Sequence, residues 1–282
     1  MPTSGTHDKA ARAKATRRQF LLGGAVAGVG AAAVIGLDSI LNRPDTPATA
    51  TPAAPEIATI HGGETVPFYG RHQAGIATTP QAHATLIALD LREGSDRGAL
   101  GRMMRLLSDD AARLTQGRAA LADSEPELAV APARLTVTFG FGPGFVARAG
   151  GTAPPWLAPL PPFTVDRLQP EFSDGDLLLQ IASDDPLTVS HTARMLLKDT
   201  RSFATVRWVQ RGFRRATGTE ASGTTMRNLF GQVDGTANVA PGTAEFDKVV
   251  WNTGSTDTAA WLAGGTSALV RRIDMNLDTW DH

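Results

Sequence analysis

The chain has 282 residues, 42% of them hydrophobic and 20% charged, which leaves room for one large domain or two small ones of ordinary globular composition. A net charge of -1 supplies no broad excess of basic side chains, which argues against a nucleic-acid partner. The absence of cysteine removes disulfides, zinc–thiolate sites, iron–sulfur clusters and lipid attachment through a thiol.

The first stretch reads as an address. Lys9, Arg12, Lys14, Arg17 and Arg18 form a basic region ahead of an apolar run over residues 20–37 that is rich in Gly and Ala. Thr16-Arg17-Arg18-Gln19-Phe20-Leu21-Leu22 resembles the twin-arginine signal pattern, and Ala48-Thr49-Ala50 offers a cleavage site. Residues 1–50 are therefore expected to be a signal and linker that sends the protein through the twin-arginine machinery to the periplasm or the extracellular space, with attachment to the cell envelope as a variant. A single membrane anchor is the competing reading, because the run is roughly long enough to span a bilayer. Gly23, Gly24, Gly28, Gly30 and Gly36 weaken it. The twin-arginine route carries folded proteins, commonly with a cofactor already inserted, so the signal favours a cofactor enzyme. The Pro-, Ala- and Thr-rich residues 42–55 read as a flexible linker, and residues 51–82 as a lead-in to the globular part.

The globular part alternates between periods of two and of 3.6. Residues 84–91 predict a strand with Thr85, Ile87, Leu89 and Leu91 on one face. Leu100, Met103, Met104, Leu107, Ala111 and Leu114 then form one helical stripe. Leu135, Val137, Phe139 and Phe141 alternate with small or polar residues and predict a second strand. Residues 150–170 hold six prolines and predict a long loop. Residues 177–181 predict a third strand, and Val189, Ala193, Leu196 and Leu197 mark a second helix with Pro186 at its start. Residues 203–213 predict a fourth strand. The order strand–helix–strand–strand–helix–strand is the split pattern of α+β, ferredoxin-like domains. Residues 83–245 are expected to hold one such half. Residues 267–278, with Leu269, Ile273, Met275 and Leu277 in alternation, predict the first strand of a second half over residues 246–282.

The most informative stretch is Arg227-Asn228-Leu229-Phe230-Gly231-Gln232-Val233-Asp234-Gly235-Thr236-Ala237-Asn238. Its G-x-x-D-G core, taken alone, is more readily explained as a turn, with Gly supplying a positive φ. With N-L-F before it and T-A-N after it, the segment closely resembles the distal haem motif of dye-decolorizing (DyP-type) peroxidases. Phe139-Gly140-Phe141-Gly142 ends a strand as in that family. Trp261-Leu262-Ala263-Gly264-Gly265-Thr266, leading into Val270-Arg271-Arg272-Ile273 and Trp280-Asp281, resembles the exported subgroup that includes deferrochelatase.

The resemblance implies two ferredoxin-like halves (a dimeric α+β barrel), with the first complete here and the second largely missing. It implies haem b as cofactor, with hydrogen peroxide and a small aromatic donor or haem itself as substrates, and it leaves a homo-oligomer open. It assigns Asp234 as the acid–base group, taking a proton from the proximal peroxide oxygen and returning it to the distal one. Gly235, Thr236 and Ala237 become the candidates for haem contact, with Gly231 and Gly235 letting the backbone approach a flat macrocycle. Carboxylates are weak bases at neutral pH, so the expected activity optimum lies on the acidic side. The family's axial histidine and distal arginine are expected beyond residue 282, and His282, at the end of a strand-like Trp280-Asp281 pair, reads as an incidental terminal residue. No metal ligand is assigned within the chain.

The remaining features read blandly. His61, His72, His83 and His191 form no zinc-type spacing and are expected to be surface or capping residues. The five tryptophans and Tyr69 are read mainly as packing rather than as an electron relay. Ser190, His191 and Asp185 suggest a hydrolase only weakly, because no G-x-S-x-G elbow accompanies them. The leading expectation is a haem peroxidase oxidising dyes or phenols, with removal of iron from haem as a narrower version. The runner-up is an exported haem-binding or iron-uptake accessory protein without turnover.

Overall fold

The computed structural model describes residues 60–221, 223–254 and 260–281; the signal-like residues 1–50 and His282 lie outside them. Seven elements build the core: β1 (His83–Leu91), α1 (Arg97–Leu114), β2 (Thr136–Phe141), α2 (Pro143–Arg148), β3 (Leu177–Ser183), α3 (Pro186–Thr200) and β4 (Ala204–Phe213). The sheet order is β2-β3-β1-β4, and every neighbouring pair is antiparallel. This is the ferredoxin-like α+β arrangement that the alternating periods predict, with α2 as a short addition after β2.

Each element has a local cause. Helix α1 begins where the Asp96 carboxylate accepts the Ala99 N–H at 2.7 Å, satisfying one orphan donor of the first turn. Replacing Asp96 by Ala is expected to cost about 1 kcal/mol, read as a lower urea midpoint at unchanged slope. Helix α3 opens on Pro186, with Asp185 capping Thr188 N–H at 2.9 Å. The stripe Leu100, Met103, Leu107, Ala111 and Leu114 is fully buried against Ile87, Leu89, Val137, Leu179 and Ile181 of the sheet. Strand β4 carries a bulge opposite Ala88 and Leu89, beside which Arg207 pairs with Asp90 at 3.1 Å.

The helices cover one face of the sheet, and the lead-in segment crosses part of the other. Thr138 Oγ1 donates to the Ala74 carbonyl at 2.6 Å, Gln180 Nε2 to Gly75 O at 2.9 Å, and Gln81 Nε2 to Thr136 Oγ1 at 3.0 Å. The Gln73 amide brackets the edge of β2, accepting Phe139 N–H and donating to Phe139 O, both at 2.9 Å. The approach is close enough that a Cβ at Gly75 would stand 2.3 Å from Thr138 Oγ1.

Two expectations are corrected. Residues 267–278 form no strand; they run irregularly and end in a single helical turn, α5 (Leu277–Trp280), capped by Asn276. Their alternation finds no strand to pair with among the described residues, and Leu269 and Ile273 stay exposed. Trp280-Asp281, expected to be strand-like, belongs to that turn and its cap. Residues 150–170 are irregular, as their prolines predict. Helix α4 (Ala244–Val250) begins at Thr243, whose hydroxyl accepts Phe246 N–H at 3.2 Å. Among the described residues no helix is long and apolar enough to cross a membrane.

Candidate functional site

The segment singled out by sequence folds as a small hairpin. Asn228 N–H donates to Gln232 O and Asp234 N–H to Met226 O, both at 2.9 Å, with a bridge between Arg227 and Val233. Leu229, Phe230 and Gly231 form the three-residue loop. Gly231 has φ 76°, the left-handed conformation such a loop needs at its last position. The Asn228 side chain organises it: Oδ1 accepts the N–H groups of Phe230 and Gln232 at 3.0 and 3.1 Å, while Nδ2 reaches Gln232 Oε1 at 3.1 Å and Asp234 Oδ1 at 3.5 Å. Arg227 Nη1 closes the loop on Gly231 O at 2.7 Å.

A second tight turn follows, with Asn238 N–H bonded to Gly235 O and Gly235 at φ 88°. Both glycines therefore act as turn residues, as the bare motif suggests. Gly231 also leaves open space where a Cβ would stand, so the backbone is bare on that side. Asp234, Gly235, Thr236 and Ala237 are all exposed in succession. The hairpin is tied down by Trp280, whose ring lies 4.9 Å from that of Phe230 and whose Nε1–H donates to Phe230 O at 3.1 Å. Asn228→Ala would remove the side-chain oxygen that accepts two backbone N–H groups; it is expected to speed amide exchange at Phe230 and Gln232 by about tenfold, read by hydrogen–deuterium exchange.

Asn228 and Trp280 are the positioning residues that sequence reasoning missed. Asn at the first position of a short loop is a readable turn signal. The Trp280 contact spans fifty residues and has no local signal.

The other candidates are placed elsewhere. His72, assigned no chemistry, stacks on Trp251 with ring centroids 3.7 Å apart and planes 11° apart, and its Nδ1–H donates to Gly264 O at 2.7 Å. His191, expected to be a surface or capping residue, is a buried partner of Asp123: Nε2 and Oδ2 are 2.8 Å apart, with 2% and 1% of the two side chains exposed. Burial would raise the Asp123 carboxyl, but the Glu125 N–H and His191 outweigh it and hold it below the ordinary carboxylate range. Asp185 is spent on the α3 cap, so Ser190, His191 and Asp185 make no catalytic triad.

The residues present fit one face of a haem site. Asp234 is exposed with Asn228 Nδ2 3.5 Å from its Oδ1, and Gly231 leaves open space where a Cβ would stand. Of the histidines, His61 pairs with Glu64, His72 with Gly264 and His191 with Asp123. Among the described residues no cluster of His, Cys, Asp or Glu is arranged to hold a metal ion.

Fold and motif together define a class. Residues 73–214 match the family model for the N-terminal part of Dyp-type peroxidases, and residues 225–282 match the one for the C-terminal part. The chain belongs to the Dyp-type peroxidase family. A solved DyP-type peroxidase from Cellulomonas bogoriensis is 53% identical, with a TM-score of 0.75 over 79% of this chain and 62% of that one. Another from Streptomyces coelicolor is 42% identical, with a TM-score of 0.73 over 78% and 60% of the respective chains. The deferrochelatase of Escherichia coli strain 536 is 35% identical over 269 residues, 90% of this chain and 62% of the relative. The chain thus spans about three-fifths of the length of the relatives it matches.

Proposed function

We propose that this chain carries the acid–base side of a haem-dependent peroxidase that reduces hydrogen peroxide and oxidises dye-like or phenolic donors. The observation that carries the reading is the hairpin and turn at residues 226–238, which leave Asp234, Gly235, Thr236 and Ala237 exposed in succession. Haem, when bound, supplies the redox chemistry. Gly235, Thr236 and Ala237 would lie along it. Asp234 accepts a proton from the nearer peroxide oxygen and delivers it to the departing one, so that water can leave. Asn228 Nδ2 lies 3.5 Å from Asp234 Oδ1, the side-chain donor that would steer the carboxylate.

The test is peroxide-dependent dye oxidation by the haem-loaded protein and by its Asp234→Asn variant. Undiminished activity in the variant would remove Asp234 from the role. Turnover absent from both would favour an accessory protein that binds haem for iron uptake. The name of the curated relatives supports a narrower reaction, release of iron from haem. Ferrous iron captured by a chromogenic chelator, with intact tetrapyrrole left behind, would establish it.

Export rests on the basic Lys9–Arg18 region and the weakly hydrophobic run after it. With Arg17 and Arg18 both changed to Lys, most of the protein is expected to stay in the cytoplasm on fractionation. Unchanged export would exclude the twin-arginine route.

A further inference from the structure

Apart from the hairpin at residues 226–238, the described residues line an open cleft of about 280 Å³. Its walls include Trp156 from the proline-rich loop, Trp251 and Val249 at the end of α4, and Leu262, Thr266 and Ser267 from the segment that follows. None of Asp234, Gly235, Thr236 or Ala237 lines it.

The Trp251 wall is fixed in advance. His72 stacks on one face of its indole, and Phe246 meets it edge-on with centroids 5.9 Å apart. Asn252 N–H donates to Gly265 O and Gly264 N–H to Asn252 O, both at 2.8 Å, which draws the Gly265–Ser267 stretch up against Trp251. His72 Nδ1–H on Gly264 O completes the brace. An aromatic wall held this way loses little freedom when a ligand arrives. Trp156, half-exposed on an irregular loop, also lines the cleft.

We infer that this cleft is a binding site for a single substituted aromatic ring, a small phenol being the best fit. A dry cavity of about 150 Å³ already accommodates benzene, so the cleft has room for one ring and its substituents. Two indoles offer π faces for offset or edge contact. The hydroxyls of Thr266 and Ser267 supply donors and acceptors for a phenolic oxygen. The inference rests on the peroxidase reading only for its meaning, which is a place where a small donor is held away from Asp234.

The experiment is a titration of 4-fluorophenol into the haem-free chain, followed by its ¹⁹F resonance. Saturable one-site binding is expected. Trp156→Ala should weaken it by about tenfold and Thr266→Val by about threefold. Trp261→Ala, at a half-exposed tryptophan outside the cleft, should leave it unchanged. Cyclohexanol, of similar size without a π face, should compete poorly. Non-saturable binding, an unaltered affinity in both Trp156→Ala and Thr266→Val, or equal competition by cyclohexanol would each overturn the inference. Should Trp156→Ala lose its far-ultraviolet circular dichroism, Thr266→Val and cyclohexanol decide it. Neither haem nor peroxide enters the titration, so its outcome is separate from that of the Asp234 assay.

Discussion

In the Asp234→Asn variant, peroxide-dependent dye oxidation is expected to fall by about 10²–10⁴-fold, the range a positioned proton shuttle contributes. Asparagine keeps the shape of the side chain and can still face Asn228, but it cannot accept and return a proton. The substitution sits on an exposed hairpin whose backbone bonds do not involve the Asp234 side chain, so the fold should be untouched. Haem absorbance should therefore survive while turnover collapses, a split that separates chemistry from cofactor loss. Asn228→Ala offers a graded comparison, because it frees the loop and leaves the carboxylate in place. A smaller loss, with a pH profile of unchanged shape, is expected there. If Asn228→Ala were as damaging as Asp234→Asn, the hairpin would matter as a scaffold and the proton-transfer assignment would fail.

Much of the fold is legible because its causes are local. The strand His83–Leu91 announces itself by Thr85, Ile87, Leu89 and Leu91, and all four are buried on the helix side. Pro186 and Asp185 mark the start of α3 before any tertiary contact is known. What the chain hides is set by distant partners. His191 looks like an ordinary helix histidine, yet Asp123, sixty-eight residues earlier, makes it a buried pair. His72 lies in an irregular stretch and acquires its place only from Trp251 and Gly264. The alternation in residues 267–278 is a genuine period of two, but a strand exists only when another strand satisfies its backbone, and none among the described residues does so there. The site divides in the same way. The turn chemistry of Asn228, Gly231 and Gly235 can be read locally, whereas the Trp280 brace on Phe230 cannot.

Stability is expected to decline as pH rises from about 4 toward 7, and Asp199→Asn should remove much of that decline. Asp110 on α1 is 3% exposed and spends Oδ1 on the Leu121 N–H at 2.7 Å. Asp199 on α3 faces it, with Oδ2 buried and without a hydrogen-bond partner. Burial first, and then the neighbouring Asp110 carboxyl, push Asp199 up from 3.8 to about 7, with Lys198 pulling the other way. The folded state thus prefers Asp199 protonated. A group raised on folding gives its full stabilisation below its unfolded pKa and loses it as pH climbs to the folded value. The full shift corresponds to about 4 kcal/mol at 1.36 kcal/mol per unit. Asp199 is half-buried, and solvent screening reduces this to about 2 kcal/mol. The Asn amide can donate to Asp110 as the protonated acid does, and it never ionises. Above pH 7 the variant should therefore be more stable than the parent, and near pH 4 the two should converge. Subtracting the two urea-unfolding profiles cancels the opposite dependence of Asp123, whose lowered pKa stabilises the fold above the ordinary carboxylate range. A difference that stayed flat between pH 4 and pH 8 would show that Asp110 and Asp199 share no proton.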